Sequence, residues 1–209
     1  MTLIIDYGIG NVASVKRSLE YCGDKNVLLS SDPKEIERAD RIILPGVGAF
    51  EDGMKGLKER NLIEPIMNSV DSYKPILGIC LGMQMLATFS TEFGTHKGLN
   101  IIEGTVNPIL NDTEAIENRI KIPSIGWAKI SLKNNFSSIL DSSFDNCFVY
   151  LVHSFYFETT RKENTIATYN YSGIEVTLAV EKDNVIGFQF HPEKSAEDGL
   201  DMLQKFINM

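Results

Sequence analysis

The sequence predicts a single α/β domain, residues 1–209, built around a mainly parallel β-sheet. In the first half, short apolar runs rich in β-branched residues alternate with helix-like stretches, which is typical of consecutive βαβ units. The second half contains further strand-like runs separated by turn residues and predicts a mixed or antiparallel extension of the sheet. The length of 209 residues, with no repeat, low-complexity segment or Pro/Gly/Ser-rich linker, fits one domain.

The elements of the first half follow from apolar spacing and from the turn and capping residues beside each run. Val12, Val15 and Leu19 have helical spacing, and Ser31-Asp32-Pro33 is a typical helix start. The predicted strands are Leu3–Asp6, Asn26–Leu29, Arg41–Leu44 and Pro75–Ile79. The predicted helices are Asn11–Tyr21, a short helix from the Ser31-Asp32-Pro33 start through Arg38, Phe50–Glu59, Leu62–Val70 and Leu81–Phe89.

The second half predicts strands almost throughout, followed by one closing helix. Turn signals such as Asn134-Asn135 and Asp183-Asn184 separate the runs. The helix is Glu197–Ile207. The predicted strands are Ile101–Ile109, Arg119–Ile122, Trp127–Leu132, Cys147–His153, Thr165–Tyr169, Thr177–Glu181 and Val185–Phe190.

Composition and charge exclude several classes of protein. Lys and Arg number 20 and Asp and Glu 28, a net charge of −8, which argues against a nucleic acid or a membrane surface as the main partner. Three cysteines are too few for a disulfide framework and favour a reducing, cytoplasmic compartment. Met1–Asp6 lacks the basic region of a signal peptide. No apolar run reaches the roughly 18 residues that a membrane span requires.

The strongest motif is Gly78-Ile79-Cys80-Leu81-Gly82, between a predicted strand and a predicted helix. It matches the G-x-nucleophile-x-G elbow with cysteine as the nucleophile. The glycines permit a sharp turn, and the helix that follows directs its N-terminal dipole at the sulfur, which favours the thiolate. We expect the Leu81 backbone N–H to be free to donate to an oxyanion. The alternative is a buried structural cysteine.

A second motif, His191-Pro192-Glu193, follows a predicted strand and supplies a base. Pro192 favours an extended backbone at His191, and residues two apart in an extended chain point to the same side. Glu193 can therefore orient the His191 ring through Nδ1, which leaves Nε2 as the base for the thiol. The alternatives are a structural histidine and a solvated carboxylate.

A third motif is the glycine-rich loop Leu44–Phe50, which contains Val47 and Gly48. It follows the wrong strand for a dinucleotide fingerprint, and Gly8-Ile9-Gly10 after the first strand lacks the third glycine. No Walker sequence is present. We interpret the loop as the second half of an oxyanion hole or as a substrate cradle; the alternative is a plain tight turn. No Cys/His spacing indicates a metal site, and no cofactor is expected.

Together these motifs resemble the class I, triad-type, glutamine amidotransferases, over essentially the whole chain. Cys80 within Gly-Ile-Cys-Leu-Gly-Met-Gln and His191-Pro-Glu193 indicate the class. The chain is most similar to the subfamily of glutaminase subunits of imidazole glycerol phosphate synthase, as Ile5–Asn11, Leu44–Phe50, Val152–Ser154 and Gln189–Ser195 indicate. The resemblance implies a three-layer α/β/α, flavodoxin-like domain with a mixed sheet and added antiparallel strands in its second half.

The resemblance also implies the activity and the partner. A glutaminase of this class hydrolyses L-glutamine to glutamate and ammonia through a cysteine thioester. In this subfamily the ammonia passes to a (β/α)₈ cyclase, which makes imidazole glycerol phosphate and aminoimidazole carboxamide ribotide in histidine biosynthesis. Because free ammonia would protonate and diffuse away, a dry passage between the two subunits is expected. The glycine-rich loop is expected to become set for catalysis when the partner binds.

By position, the resemblance assigns roles to single residues. The catalytic residues are Cys80, His191 and Glu193. The oxyanion hole comprises Val47, Gly48 and Leu81. Substrate contacts are expected at Gly48, Gln84, Glu92, Ser154 and Phe155, and Gln84 also follows from its place one helical turn after Cys80. Trp127, Tyr150 and Lys194 match partner-interface positions.

One stretch departs from the subfamily pattern and keeps other functions open. Ser124 and Ala128 stand where the subfamily usually has His and Asn around the tryptophan. A related glutaminase subunit that supplies ammonia to a surface-sugar amidation enzyme is therefore an alternative. A stand-alone cysteine γ-glutamyl hydrolase and a non-catalytic regulatory subunit are more distant alternatives.

Overall fold

A computed structural model describes residues 1–110, 120–133 and 137–209. The strands of its first half are β1 (Thr2–Ile5), β2 (Val27–Ser30), β3 (Arg41–Leu44), β4 (Ile76–Ile79), β5 (Phe89–Ser90), β6 (His96–Lys97) and β7 (Gly104–Pro108). Those of its second half are β8 (Ser124–Lys129), β9 (Ser131–Leu132), β10 (Phe148–His153), β11 (Phe155–Thr159), β12 (Thr165–Tyr171), β13 (Ile174–Lys182) and β14 (Val185–Phe188).

The α-helices of the described residues flank these strands. They are α1 (Val12–Tyr21), α2 (Pro33–Arg38), α3 (Phe50–Glu59), α4 (Ile63–Asp71), α5 (Leu81–Gln84) and α6 (Ala196–Ile207). In the part of the chain that the structure describes, 3₁₀ turns lie at Ser142–Phe144, Lys162–Asn164 and Pro192–Lys194. Asp32 caps α2 by accepting a hydrogen bond from the Lys34 N–H, as the helix-start signal predicts.

The largest sheet has the strand order β2-β1-β3-β4-β14-β13-β12-β9. The pairs from β2 to β14 are parallel, whereas β13, β12 and β9 are added antiparallel. The expected antiparallel extension of a parallel sheet is therefore confirmed. Two smaller sheets, β11-β7-β5-β6 and β10-β8, contain the remaining described strands.

Alternate residues of the central strands enter two separate cores. Ile4, Ile43 and Leu77 pack with Val15 and Leu19 of α1 and with Met202, Leu203 and Phe206 of α6. Leu3, Ile42 and Ile76 pack instead with Ile36, Phe50, Leu57 and Ile66 of α2, α3 and α4. Because side chains alternate across a strand, a sheet buried on both faces needs apolar residues in continuous runs. The three-layer α/β/α prediction is confirmed.

The helix predicted at Leu81–Phe89 is wrong in length, because α5 ends at Gln84. The carbonyls of Met85, Leu86 and Ala87 accept hydrogen bonds from backbone N–H groups of residues 99–102. Because these carbonyls already accept those hydrogen bonds, they are not available to the N–H groups that would extend the helix. Phe89 belongs to β5, which pairs with β6 and β7.

Several strands of the second half differ from the predicted bounds. Residues 120–122 are not in a strand, and Arg119 lies outside the described residues, as does the Asn134-Asn135 turn. The run Trp127–Leu132 is divided at Ile130, because β8 pairs with β10 whereas β9 pairs with β12. The run Ile101–Ile109 shortens to β7, and the strands β5, β6 and β11 have no counterpart among the predictions.

The close contact between α5 and the end of β3 generates a stability prediction. A Cβ atom at Gly82 would lie 1.8 Å from the Leu44 carbonyl oxygen. Gly82→Ala should therefore lower the free energy of unfolding by about 3 kcal/mol or more, through overpacking against backbone. Urea denaturation followed by circular dichroism measures this.

Gly173→Ala is the matched control. No atom lies within 4 Å of a Cβ at that position, and φ is +90°, so only backbone strain of about 1–2 kcal/mol is expected. Equal losses of stability in the two variants would contradict the packing explanation.

Candidate active site

Cys80 lies at a sharp turn between β4 and α5. Its φ is +55° and its ψ is −112°, a conformation that non-glycine residues adopt rarely and that concentrates at functional sites. The turn requires Gly78, because a Cβ there would lie 2.8 Å from the backbone of Gly82. The Cys80 N–H donates to the Phe188 carbonyl at 2.7 Å. The elbow geometry predicted from the motif is present.

His191 and Glu193 form a buried pair beside the elbow. His191 Nδ1 lies 2.9 Å from Glu193 Oε1, and the two side chains are 3% and 1% exposed. His191 has an extended backbone and Pro192 begins a 3₁₀ turn, as the sequence predicts. His191 Nε2 is buried and has no hydrogen-bond partner among the described residues. This nitrogen is therefore free to exchange a proton.

Electrostatics at the pair favour a charged imidazole. Burial lowers the pKa of His191, but attraction to the Cys80 and Glu193 side chains outweighs burial and raises this pKa to about 9. His191 is therefore protonated near neutral pH and loses that charge only as the pH rises through about 9. A cation beside the sulfur stabilises the thiolate form of the cysteine.

A cavity of about 350 Å³ opens in front of Cys80. The structure brings together in its lining the predicted nucleophile, the predicted oxyanion-hole residues and the predicted substrate contacts. These residues are Val47, Gly48, Cys80, Leu81, Gln84, Glu92, Ser154 and Phe155. His191 and Glu193 are not among the residues that line this cavity.

Glu92 is tied to the loop on the other side of the cavity. Its Oε2 accepts a hydrogen bond from the Phe50 N–H at 2.7 Å, at the first residue of α3. A carboxylate at a helix N-terminus satisfies a free N–H group and is favoured by the helix dipole. Glu92 is therefore a helix-capping residue as well as part of the cavity lining.

The glycine-rich loop Leu44–Phe50 differs from the expectation in its contact with the Leu81 N–H, which is expected from the sequence to be free. The Leu81 N–H is not free, because it donates to the Gly46 carbonyl at 3.3 Å. The preceding carbonyl, of Pro45, accepts from the Tyr7 hydroxyl at 2.6 Å. Burial, followed by the neighbouring Cys80, raises the pKa of Tyr7, so this hydroxyl remains a donor. The loop thus occupies the donor that an oxyanion would require.

A buried chain of polar side chains, largely missed by sequence reasoning, supports the cavity. Gln84 Nε2 donates to the Phe155 carbonyl at 3.0 Å and to Gln189 Oε1 at 2.9 Å. His153 Nδ1 lies 2.8 Å from the same carbonyl. Gln189 Nε2 lies 3.8 Å from Cys80 Sγ. A signal for Gln189 did exist, because the predicted strand Val185–Phe190 would place it two residues before His191 and on the same side of the chain.

The predicted interface residues lie together on the outer face of the β8–β10 pair. Trp127 and Tyr150 are opposite each other in the register and make an edge-to-face contact, with ring centroids 6.1 Å apart. Lys194 Nζ lies 5.8 Å from the Tyr150 ring centroid. Ile125 and Val152 extend this face, and Trp127 is 56% exposed. The result is an exposed apolar surface close to the buried pair.

Backbone hydrogen bonds join this surface to the buried pair. The Tyr150 N–H donates to Ser195 Oγ at 3.0 Å, and the Ser195 hydroxyl donates to the His191 carbonyl at 2.7 Å. The His191 N–H donates to the Tyr150 carbonyl at 2.9 Å. Ser124 and Ala128, which depart from the subfamily pattern, are buried on the opposite face of β8.

Residues 1–110, 120–133 and 137–209 contain no group of three or more His, Cys, Asp or Glu side chains positioned to share a metal ion. Among the helices in the described part of the chain, none combines the length and the apolar character needed to cross a membrane.

Comparison with known proteins defines the class. The family model for class I glutamine amidotransferases matches residues 3–209. A crystal structure of a glutamine amidotransferase superposes with a TM-score of 0.73 at 14% identity, covering 99% of this chain and 97% of that one. PurLQS from Thermotoga maritima gives a TM-score of 0.72 at 20% identity, with 99% and 97% covered. The chain belongs to the class I glutamine amidotransferase family.

Curated relatives make the assignment more specific. The chain is 44% identical to imidazole glycerol phosphate synthase subunit HisH 1 of Legionella pneumophila (strain Paris), over 99% of this chain and 98% of that protein. It is 43% identical to subunit HisH of Geobacter metallireducens, with 97% and 95% covered. It is 43% identical to subunit HisH of Aquifex aeolicus, with 98% and 95% covered. The chain is thus a glutamine amidotransferase similar to HisH subunits over its whole length.

The three cysteines differ in their surroundings. Burial, with a smaller contribution from Asp201, raises the pKa of Cys22. Burial, followed by the charge of Asp198, raises the pKa of Cys147 to about 12. Neither thiol therefore yields much thiolate near neutral pH, whereas Cys80 lies beside a protonated imidazole.

These surroundings predict selective alkylation. Near neutral pH, iodoacetamide should label Cys80 first, with labelling of Cys147 increasing only as the pH approaches 12. His191→Asn should slow the labelling of Cys80 by about 10-fold or more, because it removes the neighbouring cation. Peptide mass spectrometry quantifies each site. Equal labelling of all three cysteines would refute the ion-pair description.

Proposed function

We propose that this chain is the glutaminase subunit of imidazole glycerol phosphate synthase. It hydrolyses L-glutamine to glutamate and ammonia at Cys80, in the cytoplasm, as a single domain of residues 1–209. The ammonia passes to a (β/α)₈ cyclase subunit that makes imidazole glycerol phosphate and aminoimidazole carboxamide ribotide in histidine biosynthesis. The observation that carries the proposal is the elbow cysteine, at the wall of a cavity, with the buried His191–Glu193 pair beside it.

The chemistry of these three side chains is acyl transfer through a thioester. The Cys80 thiolate attacks the side-chain carbonyl carbon of glutamine, and the carbonyl oxygen becomes an oxyanion. His191 then donates its proton to the leaving nitrogen, so that ammonia departs and a γ-glutamyl thioester remains. Neutral His191 next removes a proton from water, which attacks the thioester and releases glutamate and the thiolate. Glu193 holds the ring so that Nε2 faces the reaction.

The cavity lining suits an amino acid substrate. Glu92 is the one carboxylate among the described residues that line the cavity, and it suits the substrate α-ammonium group. Gln84, Ser154, Phe155 and Gly48 supply the remaining contacts in the proposal. The volume of about 350 Å³ is at the lower end of the range for small-molecule sites, as a single amino acid requires.

The oxyanion loop supports a role for the partner in activation. With the Leu81 N–H bonded to the Gly46 carbonyl, the free chain lacks one of the donors that stabilise the oxyanion. Loss of a single donor of this kind costs about 10²–10³ in rate. Docking of the cyclase would have to move the Gly46 carbonyl away from this N–H, and glutamine hydrolysis would then depend on the acceptor subunit.

The β8–β10 outer face is the proposed docking surface. It combines exposed Trp127, Tyr150 and the adjoining Lys194, and interfaces are enriched in aromatic anchors. The departures at Ser124 and Ala128 point inward, so they leave this outer face unchanged. The HisH relatives support the histidine-pathway cyclase over a sugar amidation enzyme. A pull-down from the native organism with mass spectrometry would identify either one.

Removal of the nucleophile tests the reaction. Cys80→Ser, in complex with the cyclase, should lose glutamine-dependent synthesis by about 10⁴-fold or more. Synthesis from added ammonium salt should persist, because the cyclase site is intact. Formation of imidazole glycerol phosphate is measured with each nitrogen source. Loss of both activities from a folded, associated complex would contradict the proposal.

Replacement of Trp127 by alanine tests whether the outer face of the β8–β10 pair binds the cyclase. Trp127→Ala should raise the Kd for the cyclase by about 10-fold or more, because a half-exposed tryptophan at an interface centre is a typical energetic anchor. Isothermal titration calorimetry measures the affinity. Tyr73→Ala is the control, since Tyr73 is 73% exposed and precedes the amino end of β4, whereas Cys80 follows the carboxyl end of that strand. An equal effect of both substitutions would rule out this face as the interface.

A further inference from the structure

We propose that Gln189, outside the Cys80–His191–Glu193 set, is a further residue of the active site, whose side-chain amide donates to Cys80 Sγ and stabilises the thiolate. Gln189 is fully buried, and its Nε2 lies 3.8 Å from the sulfur. The inference deepens the proposed function, because it concerns the same nucleophile.

The strand register places Gln189 at this point. In the parallel β4–β14 pair, Gly187 is opposite Gly78 and Phe188 is opposite Ile79. Each chain continues by one residue beyond the pair, to Gln189 and Cys80. The side chain of Gln189 then lies between the sulfur and Gln84 of α5, inside the protein and away from solvent.

The hydrogen-bond network fixes which end of the Gln189 amide meets the sulfur. The Phe155 carbonyl can only accept, so the Gln84 side chain must present its NH₂ group there. The second N–H of this NH₂ group is directed at Gln189 at 2.9 Å, and Gln189 must therefore present its oxygen. The Gln189 NH₂ group is left for Cys80. A flipped Gln189 would set two NH₂ groups against each other.

The Phe155 carbonyl, which accepts from Gln84, is also held by a hydrogen bond with His153. His153 Nδ1 lies 2.8 Å from the Phe155 carbonyl, and its Nε2 lies 2.8 Å from the Tyr169 hydroxyl. Burial lowers the pKa of His153 to about 4, so the ring is neutral near neutral pH. Nδ1 then donates to the Phe155 carbonyl, which can only accept. The donor directions from His153 and Gln84 to Gln189 are thereby fixed.

An N–H group directed at sulfur favours the charged form of the nucleophile. Hydrogen bonds to ionised acceptors are stronger than those to neutral acceptors, so Gln189 interacts more strongly with the thiolate than with the thiol or the thioester. His191 supplies a cation and Gln189 a neutral dipole to the same atom. The same donor assists when the thiolate departs from the thioester in the hydrolytic step.

The network also limits what Gln84 can offer to substrate. Both N–H groups of its side chain are used within the protein. Its Oε1 is therefore the polar atom left for the cavity, and this atom only accepts. Such an acceptor suits the amide NH₂ or the ammonium group of glutamine.

The test is the pH dependence of Cys80 alkylation in Gln189→Met. Methionine has a similar length and no N–H donor. The midpoint of the iodoacetamide rate against pH should move upward by about 1 unit, because one hydrogen bond to the charged form is lost. Gln204→Met, on the partly exposed face of α6, is the control for the substitution itself and should leave the midpoint unchanged.

An unchanged midpoint in folded Gln189→Met would overturn the inference. If that variant does not fold by circular dichroism, Gln189→Asn replaces it, since its shorter side chain withdraws the amide from Sγ and predicts the same upward shift. The alkylation uses the free chain without glutamine or cyclase. Absence of glutaminase activity in the wild-type complex would therefore overturn the proposed function. It would not change the outcome of the alkylation test of Gln189.

Discussion

The parallel pairing of β4 with β14 positions the groups of the site. Residues 80 and 189 are 109 positions apart in the chain, yet the register makes them neighbours. Side chains alternate along a strand, so a slip of one residue in this pairing would reverse the faces to which the side chains of β14 point. Both strands contribute buried residues to cores on the two faces of the sheet, and this burial holds the register. The chemistry of the site therefore depends on packing remote from the sulfur.

Much of the fold and the reacting groups follow from the sequence, because they depend on residue type. The strand Arg41–Leu44 and the helix Phe50–Glu59 are found at their predicted bounds, since apolar period and flanking Pro and Gly define them. The elbow needs glycine at positions 78 and 82, because a Cβ atom at either position would clash with neighbouring backbone. Motifs of this kind can be recognised in a sequence because no residue other than glycine fits at these positions.

Features that depend on backbone groups were not predictable. Every residue except proline has an N–H and a C=O, so nothing in the residue types indicates that Gly46 accepts from Leu81 or that residues 99–102 end α5. The pairing of Gln84 with Gln189 depends on two elements meeting in space. Such contacts arise from the tertiary arrangement and have no local pattern.

The hydrogen bond between the Leu81 N–H and the Gly46 carbonyl affects how closely the amounts of the two subunits in a cell must match. Under the proposed function, a copy of this chain without a cyclase is a slow glutaminase. Unequal synthesis of the two proteins would then leave the glutamine pool largely undisturbed, and surplus chains would be idle rather than harmful. A single backbone contact thereby relaxes the demand for matched expression of two genes.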